Sequence, residues 1–234
     1  MSPLAKPLRF RGAPVRLTAS SVEFGQAPQS GRAFFPGAAP SPLQIRTIRD
    51  TNPAVVLLSF RLPRTTSPGH YDGMMELGGS QTPIEIDVQA RPRMRFYPSW
   101  LSLAAHPDER LEINVGALNL GNLNIPIERR STFCLFDPRG VDVAIYHALT
   151  EEPLADQRRL DRAVEGIAES HGGLVRATVR EGAGNLPPGE FRELVVELHF
   201  SDRVRPGRSY YGAWFLGESG FGIQVEGTKP SEGI

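Results

Sequence analysis

One phrase of this sequence occurs twice, and the repeat constrains the fold more than any other feature. Residues 68–88 and 206–225 each contain Pro-Gly, then a Tyr, a Gly and a Leu-Gly, and then alternating Ile and Val. The spacing from the Tyr to the Leu is the same in both copies. Pro-Gly and Leu-Gly favour turns, and the alternation is typical of strands. The repeat therefore predicts that the chain contains one β-domain twice, and that a hairpin completes each copy.

The composition agrees with turn-rich β structure and narrows the classes of partner. The 234 residues include 24 Gly and 21 Pro, yet 40% of the chain is hydrophobic, which is too much for a disordered polymer. The 26 basic and 26 acidic residues cancel, so the chain as a whole has no basic footprint for nucleic acid. No apolar run reaches the ~18 residues of a membrane span.

Two domains are predicted from the strand patterns and from a short charged segment between them. Arg91-Pro92-Arg93 is the expected linker, so we expect one β-domain over residues 1–91 and a larger one over residues 92–234. In the second domain, Asp137-Pro138-Arg139-Gly140 has the composition of a turn, and the alternation over 141–146 predicts a strand after it.

One stretch departs from the β pattern. Residues 150–172 are rich in Glu, Arg, Ala and Leu, and Leu160, Val164 and Ile167 recur at helical spacing. Pro153 suits a first helical turn, and Gly172-Gly173 suits the end. The sequence therefore predicts an amphipathic helix inserted between two strands of the second domain.

The pattern of turn residues along the sequence resembles that of a known family. The repeated Pro-Gly-x-Tyr-x-Gly phrase, together with Asn119-Leu120-Gly121-Asn122 and the later Pro188-Gly189-Glu190, is similar to bacterial immunoglobulin-like β-sandwich modules. The resemblance implies an all-β fold of two tandem Ig-like sandwiches, the second with an inserted helix. It implies no particular activity, because such sandwiches host many functions.

The residues that usually carry catalysis are not grouped in this sequence. Gly217-Glu218-Ser219-Gly220-Phe221 lacks the final Gly of a nucleophile elbow, and the five histidines are scattered singly. Cys134, the only cysteine, lies in an apolar run and is expected to be a small buried hydrophobe. We therefore predict no catalytic residues, no metal and no cofactor. An enzyme whose site is assembled across the fold is the alternative.

The strand after the second Pro-Gly suggests a binding surface. If Tyr210, Trp214 and Leu216 face the core, alternation places Tyr211 and Phe215 on the opposite face, where the first copy is mostly polar. Three different partners could bury this aromatic face. They are the inserted helix, whose stripe Leu160, Val164 and Ile167 also requires burial, the first domain, and an external protein or sugar.

These observations favour a non-catalytic structural or adaptor protein that binds protein partners, a second copy of itself included, in a larger bacterial assembly. One alternative is a carbohydrate- or surface-binding module that stacks sugars on Trp100, Tyr211 or Trp214. Another is a two-domain Ig-like chaperone that offers open sheet edges to a donor strand. The N-terminus lacks the apolar segment of a signal peptide, so the chain as written is expected in the cytoplasm, or at the surface if a leader was removed.

Overall fold

A computed structural model divides the chain into two compact units. Unit one comprises Met1–Arg93 with two later segments, Asn119–Ile125 and Pro187–Glu190, and unit two comprises the rest. The structure describes residues 7–14, 16–22, 30–37, 39, 42–49, 56–77, 79–150, 156–216 and 219–230. Gly78 and Gly217 of the repeated phrase, and Pro153 of the predicted helix start, lie outside these residues.

The described residues of unit one form seven strands. They are β1 (Leu8–Ala13), β2 (Arg16–Val22), β3 (Ser30–Phe34), β4 (Leu43–Arg49), β5 (Val56–Phe60), β6 (Gly69–Leu77) and β7 (Ser80–Val88). Strand β5 pairs with β2 and β4, and β6 pairs with β3 and β7. Strand β1 pairs antiparallel with β2 and parallel with β7. In chain order these pairings form the A-B-E-D and C-F-G sheets of an immunoglobulin-like sandwich.

The two sheets of unit one are also joined by pairing between β3 and β4, so its described strands form a closed ring. Each of these strands has a partner on both sides, and the expectation of an open sheet edge in this domain is wrong for the described residues. Its core is aromatic at the centre, where the Phe60 ring contacts Phe10 at 4.8 Å and Phe35 at 5.1 Å between ring centroids.

Unit two contains ten strands and two helices. They are β8 (Met94–Tyr97), β9 (Trp100–Ala105), β10 (Arg110–Asn119), β11 (Ile125–Ile127), β12 (Arg130–Phe136), α1 (Pro138–Thr150), α2 (Asp156–Glu169), β13 (His171–Glu181), β14 (Gly184–Leu186), β15 (Phe191–His199), β16 (Ser209–Leu216) and β17 (Ser219–Gly227). The helices lie between β12 and β13, and β11 pairs with β14 in a small separate sheet.

The main sheet of unit two repeats the strand order of unit one. Its order is β8-β10-β15-β13-β12-β16-β17-β9, which is again A-B-E-D followed by C-F-G. The first strand is divided here into β8 and β9, with a cis peptide bond before Pro98 between them. The fold is therefore all-β, with two tandem Ig-like sandwiches and a helical insertion in the second, as the sequence predicted.

The repeated phrase forms the same hairpin twice. Tyr71 pairs with Ile86 across β6 and β7, and Tyr210 pairs with Val225 across β16 and β17. Both tyrosine hydroxyls bond to backbone shortly upstream. Tyr71 Oη donates to the Ser67 carbonyl at 2.9 Å, and Tyr210 Oη accepts from the amide of residue 205 at 3.1 Å. Each hydroxyl thus fixes the corner that leads into its strand.

The insertion differs from the prediction in both length and number of helices. Residues 138–150, predicted as a turn and a strand, are helix α1, so the insertion is a pair of helices that begins twelve residues earlier than expected. The cause is the local N-terminal signal, because Asp137 Oδ1 accepts the Gly140 amide at 3.1 Å and Pro138 occupies the first helical position.

The turn at residues 119–122 builds a buried polar network within unit one. The Asn122 side-chain amide donates to the Thr66 and Gln89 carbonyls at 3.0 Å, and its oxygen accepts the Arg91 amide at 2.7 Å. A β-carbon on Gly121 would lie 2.2 Å from the Arg91 carbonyl oxygen. The network therefore requires both Asn and Gly in this turn.

Candidate functional site

The two helices of the insertion form an antiparallel hairpin. The Asp137 amide donates to the Ser170 carbonyl at 2.9 Å, so the start of α1 lies beside the end of α2. A β-carbon built on Gly166 would lie 2.5 Å from the Ala144 Cβ. Ala148 is the buried residue of α1. The helices therefore meet along a line of small residues, and their longer apolar side chains lie elsewhere.

Five of those longer side chains lie on one exposed face of the hairpin, while Val143 and Tyr146 of α1 point away from it. On α1 they are Ile145 and Leu149, and on α2 they are Leu160, Val164 and Ile167, with exposed fractions from 41% to 68%. At 100° per residue, each set lies about a quarter turn from the line where the helices meet. Because the helices are antiparallel, the two quarter turns point to the same side. These five residues are called the hairpin face below.

The aromatic strand has the alternation that its sequence predicts. Tyr210 and Trp214 are fully buried, and the Trp214 indole N–H donates to Ser131 Oγ at 2.6 Å. On the other face, Tyr211 is half-buried and Phe215 is 60% exposed. The Trp100 ring lies 6.2 Å from the Tyr211 ring and covers Gly222, where a β-carbon would be only 2.1 Å away.

The structure does not bring the two predicted surfaces together. Phe215 is exposed, and so are Leu160, Val164 and Ile167, so the helix stripe does not cover the aromatic strand. Of the three partners that the sequence left open, the inserted helix is therefore excluded in the described part of the chain. Trp100, which the sequence suggested only as a sugar platform, is the residue that lies beside Tyr211.

The outward faces of the two repeated hairpins differ in charge. In unit one, His70 lies 2.9 Å from Asp87, and Arg9 pairs with Glu85 at 2.8 Å. The hydrogen bond between the His70 ring and the accepting Asp87 carboxylate raises the pKa of His70 above its usual value. In unit two the position of His70 is taken by Ser209, whose hydroxyl bonds to Glu226 at 2.6 Å and lowers the pKa of that carboxyl.

Further along the same strands of unit two, the outward positions of β16 and β17 carry no charge. They are Tyr211, Ala213, Phe215, Gly220, Gly222 and Gln224. This uncharged, glycine-rich surface next to the aromatic rings is suited to apolar or sugar contacts, and it has no counterpart in unit one.

The remaining sequence candidates in the described residues are Ser219 and Cys134. Gly217 and Glu218 of the elbow-like segment lie outside the described residues, and Ser219 Oγ accepts the Met94 amide at 3.1 Å. Cys134 is exposed on β12, so its prediction as a buried hydrophobe is wrong: its position in the strand points outward. Among the described residues, no three His, Cys, Asp or Glu side chains are placed to hold a metal ion.

Sequence reasoning missed a basic cluster on the outward face of the A-B-E-D half of the main sheet of unit two. Arg176 on β13 lies opposite His199 on β15, and His199 lies opposite Arg110 on β10. The three residues are far apart in the sequence, and only the strand register aligns them. The sequence offered one signal: each of the three residues takes a polar position in its own alternating strand, where the side chain is expected to face outward.

Comparisons with known proteins give no name to this arrangement. No protein-family model matches the chain, and no curated protein matches it. It is similar to a protein of unknown function from Porphyromonas gingivalis, at 10% identity and a TM-score of 0.27 over 94% of this chain and 96% of that one.

Two further similar structures are composed of named modules. The fibronectin(III)-like modules of Clostridium thermocellum CbhA match at 13% identity and a TM-score of 0.25, over 97% of this chain and 92% of that one. A titin structure matches at 10% identity and a TM-score of 0.30, over 95% of this chain and 97% of that one. The Ig-like assignment rests on the strand pairing given above. Neither described helix is long and apolar enough to cross a membrane.

Proposed function

We propose that this chain is a non-catalytic structural or adaptor component of a larger protein assembly, and that it makes protein contacts through the hairpin face. The observation that carries the proposal is the exposure of the five long apolar side chains on one side of the α1–α2 hairpin. Contiguous exposed apolar patches are uncommon on monomeric proteins and mark interaction sites. Burying the exposed part of each side chain contributes about 1 kcal/mol.

The occupant that fits the hairpin face best is the same face of a second copy. Two antiparallel helices with a one-sided apolar stripe are half of a four-helix bundle, and a two-fold axis supplies the other half with matching chemistry. The five residues of the face carry no charge, so no charged group is left unpaired at its centre.

The size of the hairpin face sets the expected strength of the contact. Helices of 13 and 14 residues are about 20 Å long, and two of them side by side present a face about 20 Å wide. Two such faces bury about 800 Å² in total, below the roughly 1,200–2,000 Å² of stable specific interfaces. We therefore expect a weak dimer whose population rises with concentration, which suits contacts that are multiplied in an assembly.

The test is to introduce charge into the hairpin face and measure the molar mass by light scattering over a concentration series. Leu149→Glu and Val164→Glu place a carboxylate in the centre of the proposed contact, so both variants are expected to remain monomeric at concentrations where the unchanged chain dimerises. Unchanged association in both variants would contradict the proposal.

A matched control is available on the same helix. Val143 is also apolar and more than half exposed, but it lies on the opposite side of α1 from Ile145 and Leu149. Val143→Glu adds the same charge to the same helix and is expected to leave dimerisation unchanged. Loss of association in Val143→Glu as well would indicate a general charge effect, and the proposed surface would be wrong.

A second candidate function is supported by the Trp100 ring. One side of this ring lies on the backbone at Gly222, Tyr211 lies next to it, and 47% of the residue is exposed. A flat ring with one covered side is a platform on which a sugar can stack. Trp214, which the sequence also suggested as a sugar platform, is buried and is not available for stacking.

This carbohydrate-binding candidate predicts saturable glycan binding on an array, lost in Trp100→Ala and Tyr211→Ala. Tyr97→Ala, which removes another exposed aromatic of unit two, is the control and should leave binding unchanged. Equal binding by all four proteins would contradict this candidate without affecting the hairpin proposal.

A further inference from the structure

Three adjacent strands of unit two, β10, β15 and β13, align a row of basic side chains on their outward face, and Thr132 on β12 continues the row. The strand register places Thr132 opposite Arg176, Arg176 opposite His199, and His199 opposite Arg110. Residues directly opposite on neighbouring strands have β-carbons about 5 Å apart, and like charges there destabilise a sheet. On the same face, Glu112 and Glu197 form the next opposed pair along these strands and offset part of this charge.

Two more arginines lie beside this row. Arg180 pairs with Glu197 at 2.6 Å, and Arg130 is at the outward position next to Thr132 on β12. Arg180 lowers the pKa of Glu197 through this hydrogen bond, and the charges of Arg110 and His199 act in the same direction. Glu197 is thus already engaged. In the described part of the chain, no hydrogen bond or ion pair is found for the side chain of Arg130 or Arg176.

These side chains line a surface cavity of about 600 Å³. Its charged lining consists of Arg110, Arg130, Arg176 and Arg180 against the single carboxylate of Glu197, with His199 between them. The lining also includes the hydroxyl-bearing residues Thr132 and Thr178, which share the outward face with the arginines. The cavity falls in the usual size range for small-molecule sites and exceeds the volume of one simple anion.

The chemistry of this lining selects its ligand. Guanidinium groups are always charged, and their planar donors bind phosphate and sulfate oxygens in pairs, while hydroxyl groups add further donors. We propose that this cavity binds a small molecule that carries two or more phosphate or sulfate groups. The site is independent of the hairpin face, because none of its lining residues belongs to α1 or α2.

An adjoining cavity of about 500 Å³ limits where the anionic groups lie. It shares Arg176 and His199 with the first cavity, but Asp108 and Asp202 also line it. Its two carboxylates offset the charges of its two arginines, Arg176 and Arg203, so this end suits an anion less well than the first cavity does. The anionic groups are therefore expected over the row from Arg110 to Arg130, and an uncharged part of the ligand is expected to extend past His199.

The experiment is calorimetric titration of the full chain with sodium tripolyphosphate and, separately, with sucrose octasulfate, in a low-salt buffer. Saturable binding of either probe is expected, and the stronger probe distinguishes phosphate from sulfate chemistry. Binding should weaken as salt is added, since the contact is electrostatic. Arg176→Gln and Arg110→Gln should each weaken binding at least about tenfold.

The control is Arg158→Gln, which removes the same charge from an exposed position on α2. It should bind both probes as the unchanged chain does, and thermal unfolding should show all variants folded. The proposal is overturned if neither probe binds saturably, or if Arg158→Gln weakens binding as much as Arg176→Gln does. It is also overturned if citrate or a poly-glutamate peptide binds as tightly, because the site would then lack preference for phosphate or sulfate.

Discussion

Gly166 on α2 approaches Ala144 on α1 so closely that a β-carbon added at Gly166 would lie 2.5 Å from the Ala144 Cβ. In an isolated helix, Gly→Ala stabilises by about 1 kcal/mol. Here the added methyl must separate the helices, so Gly166→Ala is expected to destabilise the hairpin. Hydrogen exchange of α1 and α2 amides measures this directly, as faster exchange in the variant.

A double variant in which the two residues are swapped provides the control. In the double variant Ala144→Gly with Gly166→Ala, one methyl again faces one glycine, and the close approach is possible from the other side. Amide protection in the double variant should then be higher than the sum of the two single-variant effects predicts. Slower exchange in Gly166→Ala alone would show that helix propensity outweighs the contact, contrary to our account.

Asn122 is a buried polar residue of unit one whose loss should be costly. Removing its side chain leaves two carbonyls and one amide without their present partners, and each unsatisfied buried group costs about 1–3 kcal/mol. Asn122→Ala is therefore expected to lower the free energy of unfolding by at least about 2 kcal/mol in urea denaturation. Asn124→Ala, at an exposed position two residues away, should change it by less than about 0.5 kcal/mol.

The two repeated tyrosines are expected to differ in their contribution to stability. Tyr210 is fully buried and its hydroxyl accepts a backbone amide, whereas Tyr71 is only half-buried. Tyr210→Phe leaves that amide without its partner and should cost about 1–3 kcal/mol, and Tyr71→Phe should cost about 1 kcal/mol or less. Calorimetric unfolding of both variants checks the order. A larger loss in Tyr71→Phe than in Tyr210→Phe would contradict the predicted order.

The His70–Asp87 pair makes the stability of unit one depend on pH. Because the Asp87 hydrogen bond raises the pKa of His70 in the folded state, the protonated ring stabilises the fold below the unfolded pKa of about 6.5. This contribution is lost as the pH rises through the raised folded pKa. An NMR titration should show a lower pKa of His70 in Asp87→Asn than in the unchanged chain. An equal pKa in both proteins would show that the pair does not form in solution.

The sequence predicted the hairpins well because their signals are local. The turn residues and the alternation at Tyr71 and Tyr210 fix the strand register without reference to the rest of the chain. The alternation of Val141, Val143 and Ile145 led to a wrong strand prediction. It spans only six residues and lies within a helix of 13 residues. The cap at Asp137 and the proline at 138 were the stronger signals there.

The binding surfaces were only partly predictable. The stripe Leu160, Val164 and Ile167 follows from helical spacing, but its continuation on α1 required knowledge of the second helix. The basic row of Arg110, Arg176 and His199 depends on the register of three strands that are distant in the sequence. No local pattern encodes such an alignment.

The most direct test of the central claim is sedimentation velocity of the full chain from micromolar to submillimolar concentration. Our account predicts a reversible shift from one chain mass toward two, and predicts that Val164→Glu abolishes this shift while Val143→Glu retains it. A single species of one chain mass across the whole range would contradict self-association through the hairpin face.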